Sequence, residues 1–301
     1  MKRVKLLYLV DKSGVGGVTT HLLGVLRRLD RSRFEPSVCF LLHGGGRERE
    51  YAAMQVPTWA LGLQNIYGWR ALRAFWQLVS WMRQERFDIA HTYLFSANIY
   101  GVLAARMAGT RVIISSRREV VDWMQRRHRW ACRVINRWCH VITVNSDAIL
   151  ESVLTCEHAA PHKLVRIYNG VDAQRFRPRP EDAGPRKDAI GLNGGALVLT
   201  VGRLSPTKGH ADLLEAAPDV LRAHPDATFL LAGDGPMRGS LITQAARLGI
   251  ATQVRFLGKQ QDIPTLLAVA DLVVVPSHTE GFSNALLEAM ACGKAVVATN
   301  V

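Results

Sequence analysis

Three groups of residues in this 301-residue sequence have types and spacings suited to chemistry. The first is Arg203 and Lys208, inside the run Gly202-Arg-Leu-Ser-Pro-Thr-Lys-Gly209. Two cations bracketing a loop that opens onto a helix N-terminus are suited to neutralising a diphosphate, the Arg through its planar fork and the Lys as a point charge. The second is Glu280 and Glu288, in Ser277-His-Thr-Glu-Gly-Phe-Ser-Asn-Ala-Leu-Leu-Glu288. This spacing puts Glu280 in a loop and Glu288 a turn or more into the next helix, and both are acceptors that fit vicinal hydroxyls. Gly281 and Phe282 supply backbone N–H groups at the helix start. A pair of glutamates is ordinarily a solvated helix face, but Glu288 sits within the apolar run Ala285-Leu-Leu-Glu-Ala-Met-Ala and needs a partner there. The third is Asp11-Lys-Ser-Gly-Val-Gly-Gly-Val-Thr-Thr-His21, whose Gly14, Gly16 and Gly17 let backbone N–H groups approach an anion at the positive end of a helix. By itself this loop fits a tight turn equally well.

Several function classes are excluded. A dinucleotide fingerprint needs a third glycine where Thr19 stands, and the second strand ends at His43 rather than at a ribose-binding carboxylate. The sequence has no phosphate-binding Gly-x4-Gly-Lys-Ser/Thr run. Its five scattered cysteines form no Cys-x-x-Cys pair or zinc-spaced cluster, so no metal is expected and reduced, buried thiols are. No apolar run approaches the ~18 residues needed to cross a bilayer. The opening Met1-Lys-Arg-Val-Lys reads as the approach to a buried strand rather than as a leader.

The elements that must position these groups follow from periodicity. Strands are expected at 4–10, 37–42, 87–91, 111–115 and 140–144, with helices at 18–29, 68–84, 96–108, 123–138 and 146–155. The Pro-rich, charged stretch 175–194 reads as a linker between a domain over 1–174 and a second over 195–301. In the second, strands at 196–201, 227–232, 253–257, 272–276 and 295–298 alternate with helices. Strands alternating with helices predict α/β domains with parallel sheets covered on both faces. Such sheets bind ligands at the carboxyl ends of their strands, where the three groups fall.

From these pieces, together with Gly233-Asp-Gly-Pro236, Val254-Arg-Phe-Leu-Gly258 and Asn169-Gly-Val-Asp172, the chain resembles the retaining GT-B glycosyltransferases of family four, also called glycosyl transferases group 1. The resemblance covers nearly the whole chain. It implies two Rossmann-like, doubly wound parallel-sheet domains facing a cleft, and a nucleotide-diphosphate sugar, such as a UDP-sugar, as donor substrate rather than cofactor. It places Arg203 and Lys208 on the diphosphate, Glu280 on the donor hexose and Glu288 on the ribose. Gly16 and Gly17 approach the donor phosphate, and Gly233 with Arg255-Phe256-Leu257 lines the base pocket. Such enzymes often carry a His after the strand at 111–115. Here the segment reads Ser115-Ser-Arg-Arg-Glu119, leaving Glu119, Arg118 or the preceding strand's His91 for that position. The family continues beyond the strand at 295–298, so this chain is expected to be a truncated form with an incomplete second domain. The implied activity is transfer of a sugar to a glycan or lipid-linked acceptor in cell-surface polysaccharide or glycolipid synthesis. The alternative is a binding protein left inactive by the truncation.

The charge is uneven. Through Arg177 there are 27 Lys/Arg against 13 Asp/Glu (+14), and beyond it 11 against 12 (−1). All seven tryptophans also lie in the first half. Interleaved Arg and Trp at 117–137, with an aromatic helix at 68–84, suit docking on an anionic membrane surface. The expected location is therefore cytoplasmic, peripheral on the inner face of the cytoplasmic membrane. No nucleic-acid-binding motif is present, and no nucleic acid is expected as partner.

Overall fold

The computed structural model describes residues 2–14, 16–119, 124–179 and 195–301. The chain divides into two compact units, Met1–Asn169 and Gly170–Val301. The expected linker, 175–194, is described only to residue 179, and Phe176 is already part of the second unit's core.

The first unit is a seven-stranded parallel sheet of order β3-β2-β1-β4-β5-β6-β7. Its strands are β1 (Val4–Val10), β2 (Phe34–Leu42), β3 (Thr58–Leu63), β4 (Ile89–Tyr93), β5 (Val112–Arg117), β6 (Val141–Val144) and β7 (Leu164–Arg166). The helices are α1 (Gly17–Arg28), α2 (Glu48–Ala53), α3 (Gly68–Glu85), α4 (Phe95–Ala108), α5 (Arg126–Asn136) and α6 (Asp147–Glu157). Period-two alternation along β1 splits the core. Leu6, Tyr8 and Val10 pack on Leu22, Leu23 and Leu26 of α1, while Leu7 and Leu9 join Leu78 and Met82 of α3 and Val102 of α4. Strands buried on both faces need such near-continuous apolar runs.

The second unit is a five-stranded parallel sheet of order β10-β9-β8-β11-β12. It comprises β8 (Leu197–Val201), β9 (Thr228–Ala232), β10 (Val254–Gly258), β11 (Leu272–Val275) and β12 (Ala295–Ala298). Its helices are α7 (His210–Ala223), α8 (Arg238–Arg247), α9 (Ile263–Val269) and α10 (Asn284–Ala291). Helices α7 and α8 cover one face through Leu213, Leu214 and Leu241. Helices α9 and α10 cover the other through Leu267 and Ala289. In both units the strand order reverses beside the first strand, which leaves a crevice at the carboxyl ends.

Three elements lie outside the sequence expectation: α2, β3 and β7. β3 and β7 are sheet edges, where half-exposed residues blur the apolar pattern, and α2 is only six residues long. Helix α5 starts at Arg126, and Trp123, its expected first residue, lies outside the described residues.

Candidate functional site

In the second unit the chain brings two of the predicted residues into contact. Lys208 closes a single 3-10 turn, Pro206–Lys208, after β8, and its ammonium donates to Glu280 in the loop after β11. The two loops are knit together by further bonds: the His278 N–H donates to the Thr207 carbonyl at 2.9 Å, and His278 Nε2 lies 2.9 Å from Asp212 Oδ2. Gly209 makes this approach possible. Its φ is +63°, and a Cβ there would lie 1.8 Å from the Pro276 carbonyl oxygen, so the position needs glycine for both conformation and space.

Arg203 is exposed in the same loop. Gly281 and Phe282 precede Ser283, whose hydroxyl caps α10 by accepting from the Leu286 N–H at 3.3 Å. Glu288 is half-buried within α10, and burial pushes its carboxyl up to about 7, with Arg175 opposing the rise. Gly233 is placed by packing as well: a Cβ there would lie 1.7 Å from the Gly202 carbonyl oxygen. It forms a bridge with Gly258, while Phe256 packs on the apolar cluster beneath. The cation, carboxylate and glycine signals thus converge on the carboxyl ends of β8, β9 and β11.

In the first unit Gly16 is the extended N-cap of α1 and Gly17 its first residue, both exposed. Among the described residues no side chain caps this helix, and its first turn has no acid, an end suited to an anion. Glu48 anchors the neighbouring loop by accepting from Ser13 Oγ and, at 3.0 Å, from the Gly46 N–H. Arg47 reaches Thr20 in the first turn of α1 at 3.0 Å. His91 stacks on Tyr93, with ring centroids 4.4 Å apart, and bonds Ser116 Oγ at 2.8 Å. Burial, with His21 and Arg118 adding to it, lowers its pKa to about 3, so its imidazole is neutral at physiological pH. Glu119 is exposed beyond β5.

The sequence reading passed over Asp11 as a site residue. It directly follows β1, accepts from the Ala97 N–H at 2.8 Å, and burial raises its carboxyl to about 6. The signal was its position, an acid directly after the central strand beside the switch point. Asn145 was also missed, because an asparagine at a strand end carries no pattern. Among the described residues no three His, Cys, Asp or Glu are placed to hold a metal, and no helix is long and apolar enough to cross a membrane. The five cysteines are free.

Two doubly wound parallel-sheet units with this arrangement of loops define the GT-B fold. The crystal structure of Anabaena Alr3699/HepE in complex with UDP and glucose superposes with a TM-score of 0.88 at 25% identity, covering 99% of this chain and 81% of that one. The chain belongs to the glycosyltransferase family: residues 15–175 match Glycosyltransferase Family 4, and residues 186–301 match Glycosyl transferases group 1. Among curated relatives it is 27% identical over 261 residues to the Escherichia coli UDP-Gal:alpha-D-GlcNAc-diphosphoundecaprenol alpha-1,3-galactosyltransferase, covering 83% of this chain. It is also 27% identical over 258 residues to the Bacillus anthracis N-acetyl-alpha-D-glucosaminyl L-malate synthase, covering 84% of this chain. The matched regions span 66% and 64% of those two proteins, just under two thirds of their length.

Proposed function

We propose that this chain transfers a sugar from a UDP-sugar to a glycan or lipid-linked acceptor, with retention of anomeric configuration, in the synthesis of cell-surface polysaccharide or glycolipid. The observation that carries the reading is the Lys208–Glu280 pair, which sets a cation and a carboxylate side by side at the carboxyl ends of β8 and β11. A donor diphosphate takes Lys208 and the exposed fork of Arg203, and the hexose hydroxyls take Glu280. Glu288 meets the ribose. The acceptor hydroxyl attacks on the leaving-group face and passes its proton to the departing phosphate, so positioning and fixed charge supply the catalysis. The Anabaena protein's complex with UDP and glucose supports the donor class, and the E. coli relative's name supports a lipid-linked acceptor. The test is calorimetric titration with UDP, followed by turnover of UDP-sugars at about 1–1000 per second. Absence of UDP binding by the folded chain overturns the reading.

The membrane-facing part of the proposal rests on helices α3 and α5. Along α3, Trp69, Leu72 and Trp76 are 68%, 60% and 50% exposed. On α5, Trp130 is 66% exposed among the exposed Arg126, Arg129 and Arg133, and this helix has no acid. Aromatic residues beside arginines on a helix that contains no acid fit the headgroup region of an anionic bilayer. Flotation with anionic vesicles at low salt should carry the protein upward; recovery wholly in the soluble fraction rules this part out.

A further inference from the structure

Two consecutive arginines at the end of β5 have opposite surroundings. Arg117 is buried on the α5/α6 side of the sheet, where Glu157 accepts from its Nε and Nη2 at 3.0 Å and Asn136 from its Nη2 at 2.9 Å. Its charge is neutralised inside the protein. Arg118 lies on the opposite face, 5.9 Å from the centroid of the Tyr93 ring, and donates to Asn169 Oδ1. Among the described residues no carboxylate is paired with it. Its neighbours His21 and His91 are held neutral, mainly by burial and further by Arg118 itself, with pKa values of about 4 and 3. Among the described residues nothing cancels the charge of this half-buried guanidinium, and leaving a buried charge unpaired is costly.

A second, independent observation lies beside it. Asn145, at the end of β6, is 2% exposed, and its Nδ2 donates to the same Asn169 Oδ1 at 3.4 Å. Its own Oδ1 has no hydrogen-bond partner. A buried acceptor left without a donor is destabilising, and an anion has no proton to give it. A hydroxyl does.

We infer that Arg118, Asn145 and Asn169 form a subsite for an acceptor that carries an oxyanion close to a hydroxyl group, as in a sugar or polyol phosphate. The guanidinium takes the oxyanion through its remaining donors, and the hydroxyl donates to Asn145 Oδ1. The inference rests on the glycosyl-transfer reading above for the word acceptor, while the site itself stands on these three side chains.

The probe is glucose 6-phosphate, titrated into the full chain with UDP saturating, so that the donor site is filled. Inorganic phosphate and glucose serve as partial probes. Glucose 6-phosphate should bind more tightly than inorganic phosphate, and glucose should show no saturation. Arg118→Met should weaken glucose 6-phosphate at least tenfold and leave the UDP isotherm unchanged. Asn145→Leu should weaken glucose 6-phosphate more than inorganic phosphate. Should Arg118→Met not fold, Arg118→Lys keeps a charge at the position and should lose several-fold. An unchanged glucose 6-phosphate isotherm in the folded arginine variant, or an equal loss of UDP binding, overturns the inference. Failure of the wild-type chain to bind UDP, with glucose 6-phosphate binding intact, overturns the donor reading and leaves the anion site standing.

Discussion

Lys208 and Glu280 meet across two loops that follow different strands of one sheet, β8 and β11, with side chains 30% and 18% exposed. An ion pair in that position stores opposite charges where a diphosphate sugar would separate them. Glu280→Gln leaves the ammonium free, so UDP affinity should stay within about twofold while sugar transfer falls by about 100-fold or more. Lys208→Ala and Arg203→Ala should each weaken UDP binding by about 1.5–3 kcal/mol, the scale of a charge-assisted bond. Titration and turnover of the three variants decide the matter; parallel loss of UDP binding in all of them would make Glu280 a structural partner only.

Glu288 gives a pH dependence with a definite sign. Its carboxyl is lifted from 4.5 to about 7, so the folded state holds the proton more tightly than the unfolded chain. The associated stability is fully present below about pH 4.5 and is lost as pH rises through about 7. Glu288→Gln should remove this loss, raising stability at pH 8 by up to about 3 kcal/mol relative to wild type. A ribose hydroxyl donating to the ionised carboxylate predicts the opposite trend in binding: wild-type UDP affinity should rise several-fold from pH 6 to 8, and the Gln variant's should stay flat. Urea unfolding and UDP titration at the two pH values check both.

Gly209→Ala should be among the most damaging single-methyl additions in the second unit. The new Cβ would stand 1.8 Å from the Pro276 carbonyl oxygen at a left-handed φ, forcing the two loops apart. A loss of about 2–4 kcal/mol is expected from the overlap and the strain together. Gly239→Ala, where a Cβ meets nothing within 4 Å, should be close to neutral. Equal melting temperatures for the two variants would contradict the packing.

Breaking the Arg117–Glu157 pair from one side should cost about 3–5 kcal/mol, because the remaining charge is left buried. The side chains are 7% and 4% exposed. Arg117→Met with Glu157→Leu should recover most of that loss, since neither charge remains. Chemical denaturation of the single and double variants gives the coupling directly.

The residues that carry charge were legible in the sequence because their types are unusual for the elements they occupy. Glu288 stood out as an acid in an apolar helix, and it proves half-buried with a raised carboxyl. Lys208 stood out as one of two cations bracketing a loop that opens onto a helix N-terminus, whereas the need for Gly209 shows only in its positive φ and the nearby Pro276 carbonyl. The central strands were legible because burial on both faces leaves an apolar run, as in Leu6 to Val10. Edge strands β3 and β7 were not, since a half-exposed strand shows no such run. The separate roles of Arg117 and Arg118 were equally invisible. Adjacent identical residues look alike until the pleat sends one to Glu157 and the other to Asn169.

That pleat makes the first unit sensitive to parity. A codon lost within Val112–Ser115 would turn every later side chain of β5 to the other face. An arginine would then be presented to Glu157 from the wrong neighbour, and the face carrying Tyr93 and Asn169 would lose its cation. A change of two codons would keep each arginine on its face but displace both by about 6.6 Å along the strand, out of reach of Glu157 and Asn169. Lineages of this gene should therefore vary in length in the loops on either side of β5 and not within the strand.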